Sequence, residues 1–187
     1  MELPLGHAGV LLHNQKLQTK KQALRCSEEI KVDKDSAVDS LTDVMAKFTA
    51  YIGKRLPTDV KKKTAQLRAA ETNPLAIAVY DSMAENQDYA DKLDRPSCQD
   101  TGVIQYFISA GARFPLLGEL ESILENATRE ATIKGPLRHN AVETFIEKNT
   151  GTNTGSKIPW LDWEIIPDAD YALIDVSMAG GGCTLPG

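Results

Sequence analysis

The spacing of apolar residues changes near residue 103, and this change constrains the fold more than any other feature of the chain. Before it, apolar residues recur at helical spacing in three segments: 36–55, a helix that opens at Thr58, and a helix from Asn73-Pro74 to about Leu93. Leu75 and Met83, in the third of these helices, are expected to face inward. After residue 103, the pattern predicts strands at 103–109, 163–166 and 172–178, a helix at 116–134 and a short helix at 140–148. We therefore predict an α+β fold, with a helical N-terminal half packed beside a small mixed sheet of about three or more strands.

The composition excludes several classes of protein. The 187 residues carry a net charge of −5, so no basic surface of the kind that binds nucleic acid is expected. No apolar run approaches the roughly 20 residues that span a bilayer, and we predict neither a membrane segment nor a secretory signal. The three cysteines form no C-x-x-C pair, which favours free or metal-bound thiols in a reducing compartment, here the cytoplasm.

The two ends of the chain differ from its middle. Residues 1–34 have weak periodicity and are predicted to form a disordered arm, which leaves 35–187 as the folded domain. At the other end, Gly180-Gly181-Gly182 follows a predicted strand and precedes Cys183. A glycine run in that place favours a ligand-binding loop over a flexible linker, so we expect the sequence to be a fragment of a larger domain.

The segment most indicative of chemistry is Cys98-Gln99-Asp100-Thr101-Gly102, which follows a turn that contains Pro96. It combines a soft metal ligand, an amide, a carboxylate and a permissive backbone position within five residues. Such a combination favours a site for a metal centre and an oxygen-rich substrate. Each residue also has an ordinary explanation, since a lone cysteine is most often a small buried hydrophobe and an aspartate often caps a turn.

Two further segments carry candidate residues. Arg138 follows a Gly-Pro helix stop, and its planar guanidinium suits a carboxylate ligand, although most arginines are surface residues. Its neighbour His139 is interpreted as a loop or helix-start histidine rather than a catalytic one. The Thr-, Asn- and Gly-rich segment 149–157 is predicted to be a loop that either shapes the site or simply turns.

Four of these segments, in this order, resemble motifs of the class I fumarase and tartrate dehydratase family. They are Cys98–Gly102, Pro136–Val142, Asn149–Gly151 with Asn153–Gly155, and Met178–Gly187. The resemblance covers roughly residues 36–187 and implies an iron-sulfur hydro-lyase. It implies that Cys98 is one of three thiolate ligands of a 4Fe-4S cluster and that the other two lie downstream of residue 187, since neither Cys26 nor Cys183 matches them.

The same resemblance implies the roles of the remaining residues. Gln99, Asp100, Arg138 and Gly181 correspond to substrate contacts, and Asp100 is also the catalytic candidate. The catalytic base would come from a β subunit, so a heteromer, expected to be a heterotetramer, is implied. Fragment and partner together would reversibly dehydrate a 2-hydroxy dicarboxylate.

The choice of substrate depends on weaker signals. Residues 116–120, 160–163 and 165–168 resemble the tartrate branch of the family, which favours L(+)-tartrate giving oxaloacetate and water. A fumarate hydratase that interconverts malate and fumarate is the alternative. A truncated, non-catalytic α+β assembly module is the second alternative, favoured by the two missing cluster cysteines.

Overall fold

A computed structural model describes residues 9–12, 33–143 and 145–180 of the chain. Its elements, in chain order, are β1 (Gly9–Leu12), α1 (Lys34–Lys54), α2 (Thr58–Ala70), α3 (Pro74–Leu93), β2 (Val103–Gly111), α4 (Leu120–Lys134), β3 (Val142–Glu143), β4 (Lys148–Asn149), β5 (Trp160–Ile166) and β6 (Ala172–Ala179). A 3₁₀ turn, Leu117–Glu119, leads into α4. The predicted α+β class, with helices beside a small mixed sheet, is confirmed.

The main sheet has four strands in the order β1-β6-β2-β5. Strand β2 pairs parallel with β5, where Gln105 lies opposite Trp160, and antiparallel with β6, where Val103 lies opposite Ala179. The second pairing has a direct consequence for function. It places the segment that enters β2 beside the segment that leaves β6, although about 75 residues separate them.

Side chains alternate along β2 as expected for a strand with one covered face. Ile104, Tyr106, Ile108 and Ala110 are buried beneath the helices, whereas Phe107, on the other face, is 45% exposed. Helices α1 and α4 form the covering layer.

Helix α4 follows its apolar pattern closely. Leu120, Leu124, Ala127 and Ala131 recur at helical spacing and are completely buried. Burial of each leucine contributes about 1.5–3 kcal/mol, so this stripe anchors α4 to the sheet. The helix predicted at 116–134 is confirmed, with its first turn in the 3₁₀ form.

Helix α1 approaches the segment after α4 more closely than side chains would allow. A Cβ atom on Gly135 would lie 2.9 Å from Cβ of Ala50, and one on Gly53 would lie 2.8 Å from Cδ2 of Leu137. Leu137 is itself buried against the core. The two glycines therefore let α1 pack closely against residues 135–137, which lead directly to Arg138.

Helices α2 and α3 make a hairpin that buries little. Within the described residues α2 has no buried residue and α3 has only Ala90. An inward orientation of Leu75 and Met83, expected from their spacing, is wrong: they are 74% and 47% exposed. Helical spacing identified the apolar face correctly, but the structure leaves much of that face exposed.

Ion pairs attach the end of α3 to the end of α1. Lys54 Nζ lies 2.8 Å from Asp94 Oδ2, and Arg55 Nη1 lies 3.0 Å from Asp91 Oδ1. The hydrogen bond from Lys54 lowers the pKa of Asp94 below its ordinary value. The contribution of this pair to stability is therefore full above about pH 4 and is lost as the pH falls through the depressed pKa.

The short helix predicted at 140–148 is wrong. Val142 and Glu143 pair antiparallel with Asn149 and Lys148, so the segment is the hairpin of β3 and β4. Glu147 adopts a left-handed φ of 50°, which a helix does not tolerate. The N–H groups of Asn140 and Ala141 donate instead to the side chain of Asn153.

The predicted arm, residues 1–34, is described only in small part. Residues 9–12 form β1, which pairs antiparallel with residues 172–175 of β6. The rest of the arm up to residue 32, including Cys26, lies outside the described residues, as do Gly181 and Cys183. Disorder of the arm stays a prediction there. Among the described helices, none is long and apolar enough to cross a membrane.

A buried hydroxyl network joins both layers, and we expect its removal to destabilise the fold. The hydroxyl of Tyr106 lies 3.0 Å from Thr49 Oγ1 and 3.1 Å from Thr128 Oγ1. Tyr106→Phe leaves the Thr49 hydroxyl buried without this partner, so the free energy of unfolding should fall by about 1–3 kcal/mol in urea titrations.

We also expect the wild type and Tyr106→Phe to differ in how their stability changes with pH in alkaline solution. Burial raises the pKa of Tyr106 above its ordinary value. The folded protein then holds the phenolic proton more tightly than the unfolded chain does, and stability is lost as the pH rises above about 10. The stability of Tyr106→Phe should fall less steeply there, and parallel pH profiles for the two proteins would contradict this.

Candidate functional site

The segment from Cys98 to Gly102 forms a loop between α3 and β2. The side chain of Asn86, on α3, donates a hydrogen bond of 2.6 Å to the carbonyl of Ser97 and so holds the start of the loop. Cys98 is exposed and has a free thiol, Gln99 is exposed, and Asp100 is partly buried. The thiol of Cys98 and the amide of Gln99 are therefore accessible to a ligand at the surface.

Gly102 ends this loop in a conformation that requires glycine. Its φ is +87°, and a Cβ atom there would lie 2.4 Å from the carbonyl carbon of Ala179 and 2.6 Å from the nitrogen of Gly180. Such distances exclude any side chain. The glycine lets the loop lie directly on the backbone at the end of β6.

The Asp100 carboxylate lies against the beginning of the glycine run. A Cβ atom on Gly180 would lie 3.3 Å from Oδ2 of Asp100, so the absence of a side chain at Gly180 lets the two segments approach. Gly181, the predicted substrate contact, lies outside the described residues, and its role stays a prediction. Its neighbour Gly180 does lie beside the predicted catalytic aspartate.

Arg138 is joined to the same loop through its backbone. Its N–H donates to Thr101 Oγ1 over 3.1 Å, and two residues later Asn140 Nδ2 donates to the carbonyl of Gly102 over 3.0 Å. The Arg138 side chain is exposed. The structure thus brings Cys98, Asp100 and Arg138 to one end of β2 on two hydrogen-bonded segments.

His139 has a mainly structural setting. Its carbonyl accepts a hydrogen bond of 2.6 Å from Asn149 Nδ2, on β4, and its ring lies near Gly151. The side chain is exposed. These contacts agree with its interpretation as a loop histidine.

Three residues of this region had no definite role in the sequence analysis, and all three hold the site together. They are Thr101, Asn140 and Asn153, each with a side-chain hydrogen bond to the backbone of another segment. The repeated Asn-Thr-Gly pattern at 149–151 and 153–155 marked the region but could not show which asparagine faces inward.

The described residues supply only part of a metal site. Among residues 9–12, 33–143 and 145–180, no group of three or more His, Cys, Asp or Glu side chains is arranged to hold a metal ion. Cys98, with an exposed thiol, fits a single thiolate ligand of a centre whose other ligands come from elsewhere. Beside it, Asp100 can exchange a proton and Arg138 can bind a carboxylate.

The chain is similar to a known protein family and to individual tartrate dehydratase and fumarate hydratase proteins. The model of the fumarate hydratase (Fumerase) family matches residues 42–187. The L(+)-tartrate dehydratase subunit alpha of Escherichia coli strain K12 is 57% identical over 155 residues, which are 83% of this chain and 51% of that protein. The protein of the same name from Shigella sonnei gives the same figures.

A more distant relative belongs to the fumarase side. The putative fumarate hydratase class I of Geobacillus stearothermophilus is 26% identical over 147 residues, which are 78% of this chain and 28% of that protein. The chain therefore spans about half the length of the tartrate dehydratase subunits it matches and about a quarter of this one.

Proposed function

We propose, from the premise that the chain belongs to the fumarate hydratase (Fumerase) family, that it forms part of the active site of a hydro-lyase. The reaction is the reversible removal of water from a 2-hydroxy dicarboxylate, with L(+)-tartrate as substrate and oxaloacetate and water as products. The observation that carries the proposal is the convergence of Cys98, Asp100 and Arg138 at one end of β2.

The cofactor in this proposal is a 4Fe-4S cluster with Cys98 as one ligand. The exposed thiol of Cys98 supports the assignment. One thiolate cannot chelate a cluster alone, and the described residues hold no complete set of metal ligands, so further ligands are required. The other two thiolates are expected beyond residue 187, in the half of the relatives' length that this chain does not span. When bound, such a cluster with one open iron supplies a Lewis acid for hydroxyl and carboxylate oxygens.

The residues of this chain would orient the substrate and handle its protons. Arg138 holds one carboxylate through its planar pair of N–H donors, and Gln99 donates a hydrogen bond to a substrate oxygen. Asp100 moves a proton at the departing hydroxyl, beside the glycine run, and Gly181 offers a backbone N–H to the developing negative charge. The base that takes the C–H proton is not among these residues.

Because no residue assigned above takes the C–H proton, the proposed reaction needs a second subunit to supply the base. The tartrate dehydratase relatives are named as alpha subunits, which implies a second kind of subunit in those proteins. We propose that this chain also works with a β subunit that completes the site and supplies the base, in a heterotetramer. The cytoplasm suits such an assembly because free thiols and iron-sulfur clusters persist in a reducing compartment.

We propose L(+)-tartrate rather than malate or fumarate as the substrate because the chain is more similar to tartrate dehydratases than to the fumarase relative. The identity of 57% to tartrate dehydratase subunits exceeds the 26% to the putative fumarase. Fumarate hydratase activity is the second candidate function, because the family that matches this chain is named for fumarate hydratase.

The test is an assay of the complete enzyme, purified without oxygen together with its β subunit. We expect measurable iron and sulfide, and a kcat/KM for L(+)-tartrate that exceeds those for malate and fumarate. A preference for malate and fumarate would favour the second candidate. Iron-free protein with full activity, or a complete complex without hydro-lyase activity, would contradict the proposal, and the latter would support a non-catalytic assembly module.

A further inference from the structure

Asn153 is a buried amide that uses its whole hydrogen-bonding capacity. It is 3% exposed. Its Oδ1 accepts from the N–H of Asn140 over 2.7 Å and from that of Ala141 over 3.3 Å, while its Nδ2 donates to the carbonyl of Arg138 over 2.8 Å and to Thr132 Oγ1 over 3.2 Å. An asparagine amide offers two donors and two acceptor positions, so all four are occupied.

Three of these four bonds go to the segment that carries Arg138, and the fourth goes to α4. The anchoring to α4 is reinforced nearby, where Thr132 Oγ1 lies 3.2 Å from the carbonyl of Thr152 and Arg129 Nε donates to Thr154 Oγ1 over 3.2 Å. Because α4 is packed rigidly on the sheet, the position of the Asn153 amide is determined by the core.

The backbone at this position favours asparagine. Asn153 has a φ of 56°, in the left-handed region where asparagine is among the few residues tolerated besides glycine. In this conformation the side chain is buried, although residue 153 lies in the loop between β4 and β5. Residue 153 therefore combines a special backbone conformation with a specific set of amide contacts.

The Arg138 peptide groups are held on both sides. Its N–H is bound by Thr101, from the loop that carries Cys98 and Asp100, and its carbonyl is bound by Asn153. Asn140 completes the connection by donating to the carbonyl of Gly102. The backbone origin of the arginine is thus fixed relative to the loop with the thiolate and the carboxylate.

We propose that Asn153 is a positioning residue that orients Arg138 for the dicarboxylate. This inference rests on the role of Arg138 in the proposed function. The Arg138 side chain is exposed and flexible, and a fixed backbone removes one source of motion, so fewer conformations place the guanidinium away from the carboxylate. Displacing a substrate-binding group by about 1 Å can lower turnover about a hundredfold.

Two substitutions distinguish the role of the Asn153 side-chain amide from the role of its left-handed backbone. Asn153→Asp keeps the shape and the acceptor for Asn140 and Ala141, but replaces the donor to the Arg138 carbonyl and to Thr132 Oγ1 with an oxygen. Asn153→Gly keeps the left-handed backbone and removes the side chain. We expect both to lower kcat/KM for the diacid in the complete enzyme by about tenfold to a hundredfold, while the iron content is retained.

The decisive measurement is a double-mutant cycle with Arg138→Lys. If Asn153 acts through Arg138, adding Asn153→Asp to Arg138→Lys should cost less than about twofold more, whereas independent effects would multiply. Tyr106→Phe, which loses buried hydrogen bonds to Thr49 and Thr128 but none of the contacts of Arg138 or Asn153, is the stability control and should leave kcat/KM unchanged. Multiplying losses, or an Asn153→Asp enzyme with unchanged kcat/KM, would overturn the inference.

Hydrogen exchange separates this inference from the proposed function. The amides of Asn140 and Ala141 should exchange faster in Asn153→Gly than in the wild type, with little change in β2 or α4. A loss of this protection supports the positioning role even if the enzyme acts on neither tartrate nor malate. Unchanged protection overturns it even if Arg138 proves essential for turnover.

Discussion

Replacement of Cys98 with serine should remove the iron from the complete enzyme and reduce hydro-lyase activity to the detection limit. A serine hydroxyl is a hard ligand that ionises poorly at neutral pH, whereas iron-sulfur clusters require thiolates. Only two of the proposed three ligands would remain. Iron and acid-labile sulfide per complex, measured on protein purified without oxygen, give the result directly.

The position of Cys98 makes this experiment clean. Its side chain is exposed, so Cys98→Ser should change the free energy of unfolding of the cluster-free chain by no more than about 0.5 kcal/mol. Ser97→Ala, at the adjacent position, is the matched control and should keep both iron and activity. Full iron content in Cys98→Ser would exclude Cys98 as a ligand.

Arg138→Lys should lower kcat/KM for L(+)-tartrate about tenfold to a hundredfold in the complete enzyme. Lysine keeps the positive charge but cannot donate two parallel hydrogen bonds to one carboxylate. A hydrogen bond to a charged group contributes about 1.5–3 kcal/mol, which corresponds to that range. Steady-state kinetics with tartrate and with malate measure the loss, which should affect both substrates because both carry the carboxylates.

The backbone contacts of Arg138 should survive this substitution, since its N–H and carbonyl make them. The thermal midpoint and the iron content should therefore match the wild type. Arg113→Lys is a suitable control, because Arg113 is also exposed but follows the opposite end of β2. Equal kinetics for wild type and Arg138→Lys would remove the carboxylate-binding role of this arginine.

Apolar spacing predicted the existence of α3 and α4 equally well, but not the burial of both. The apolar spacing in α4 predicted both the helix and its buried face, because one regular pattern encodes both. The same kind of pattern in α3 predicted the helix and identified its apolar face, but not that this face is exposed. Periodicity reports which side of a helix is apolar, and it contains no information on whether another element covers that side.

The segment at 140–149 shows a different limit. Its length and composition allowed a short helix, yet the chain forms β3 and β4 there. The backbone of Asn140 and Ala141 is bound by the side chain of Asn153, and the Ala141 carbonyl accepts from the N–H of Thr150. Contacts between segments about ten residues apart decided this structure over a weak local preference.

The sequence by itself determined the α+β class, most helices and strands, and the residues that offer a thiol, a carboxylate and a guanidinium, because periodicity and side-chain chemistry are local properties. Only the tertiary structure decided that Val103 pairs opposite Ala179, which brings Asp100 to the glycine run, and that Asn153 and Thr101 hold Arg138 between them. Strand register and buried side-chain hydrogen bonds join residues far apart in the chain, so their geometry exists only after the core has packed.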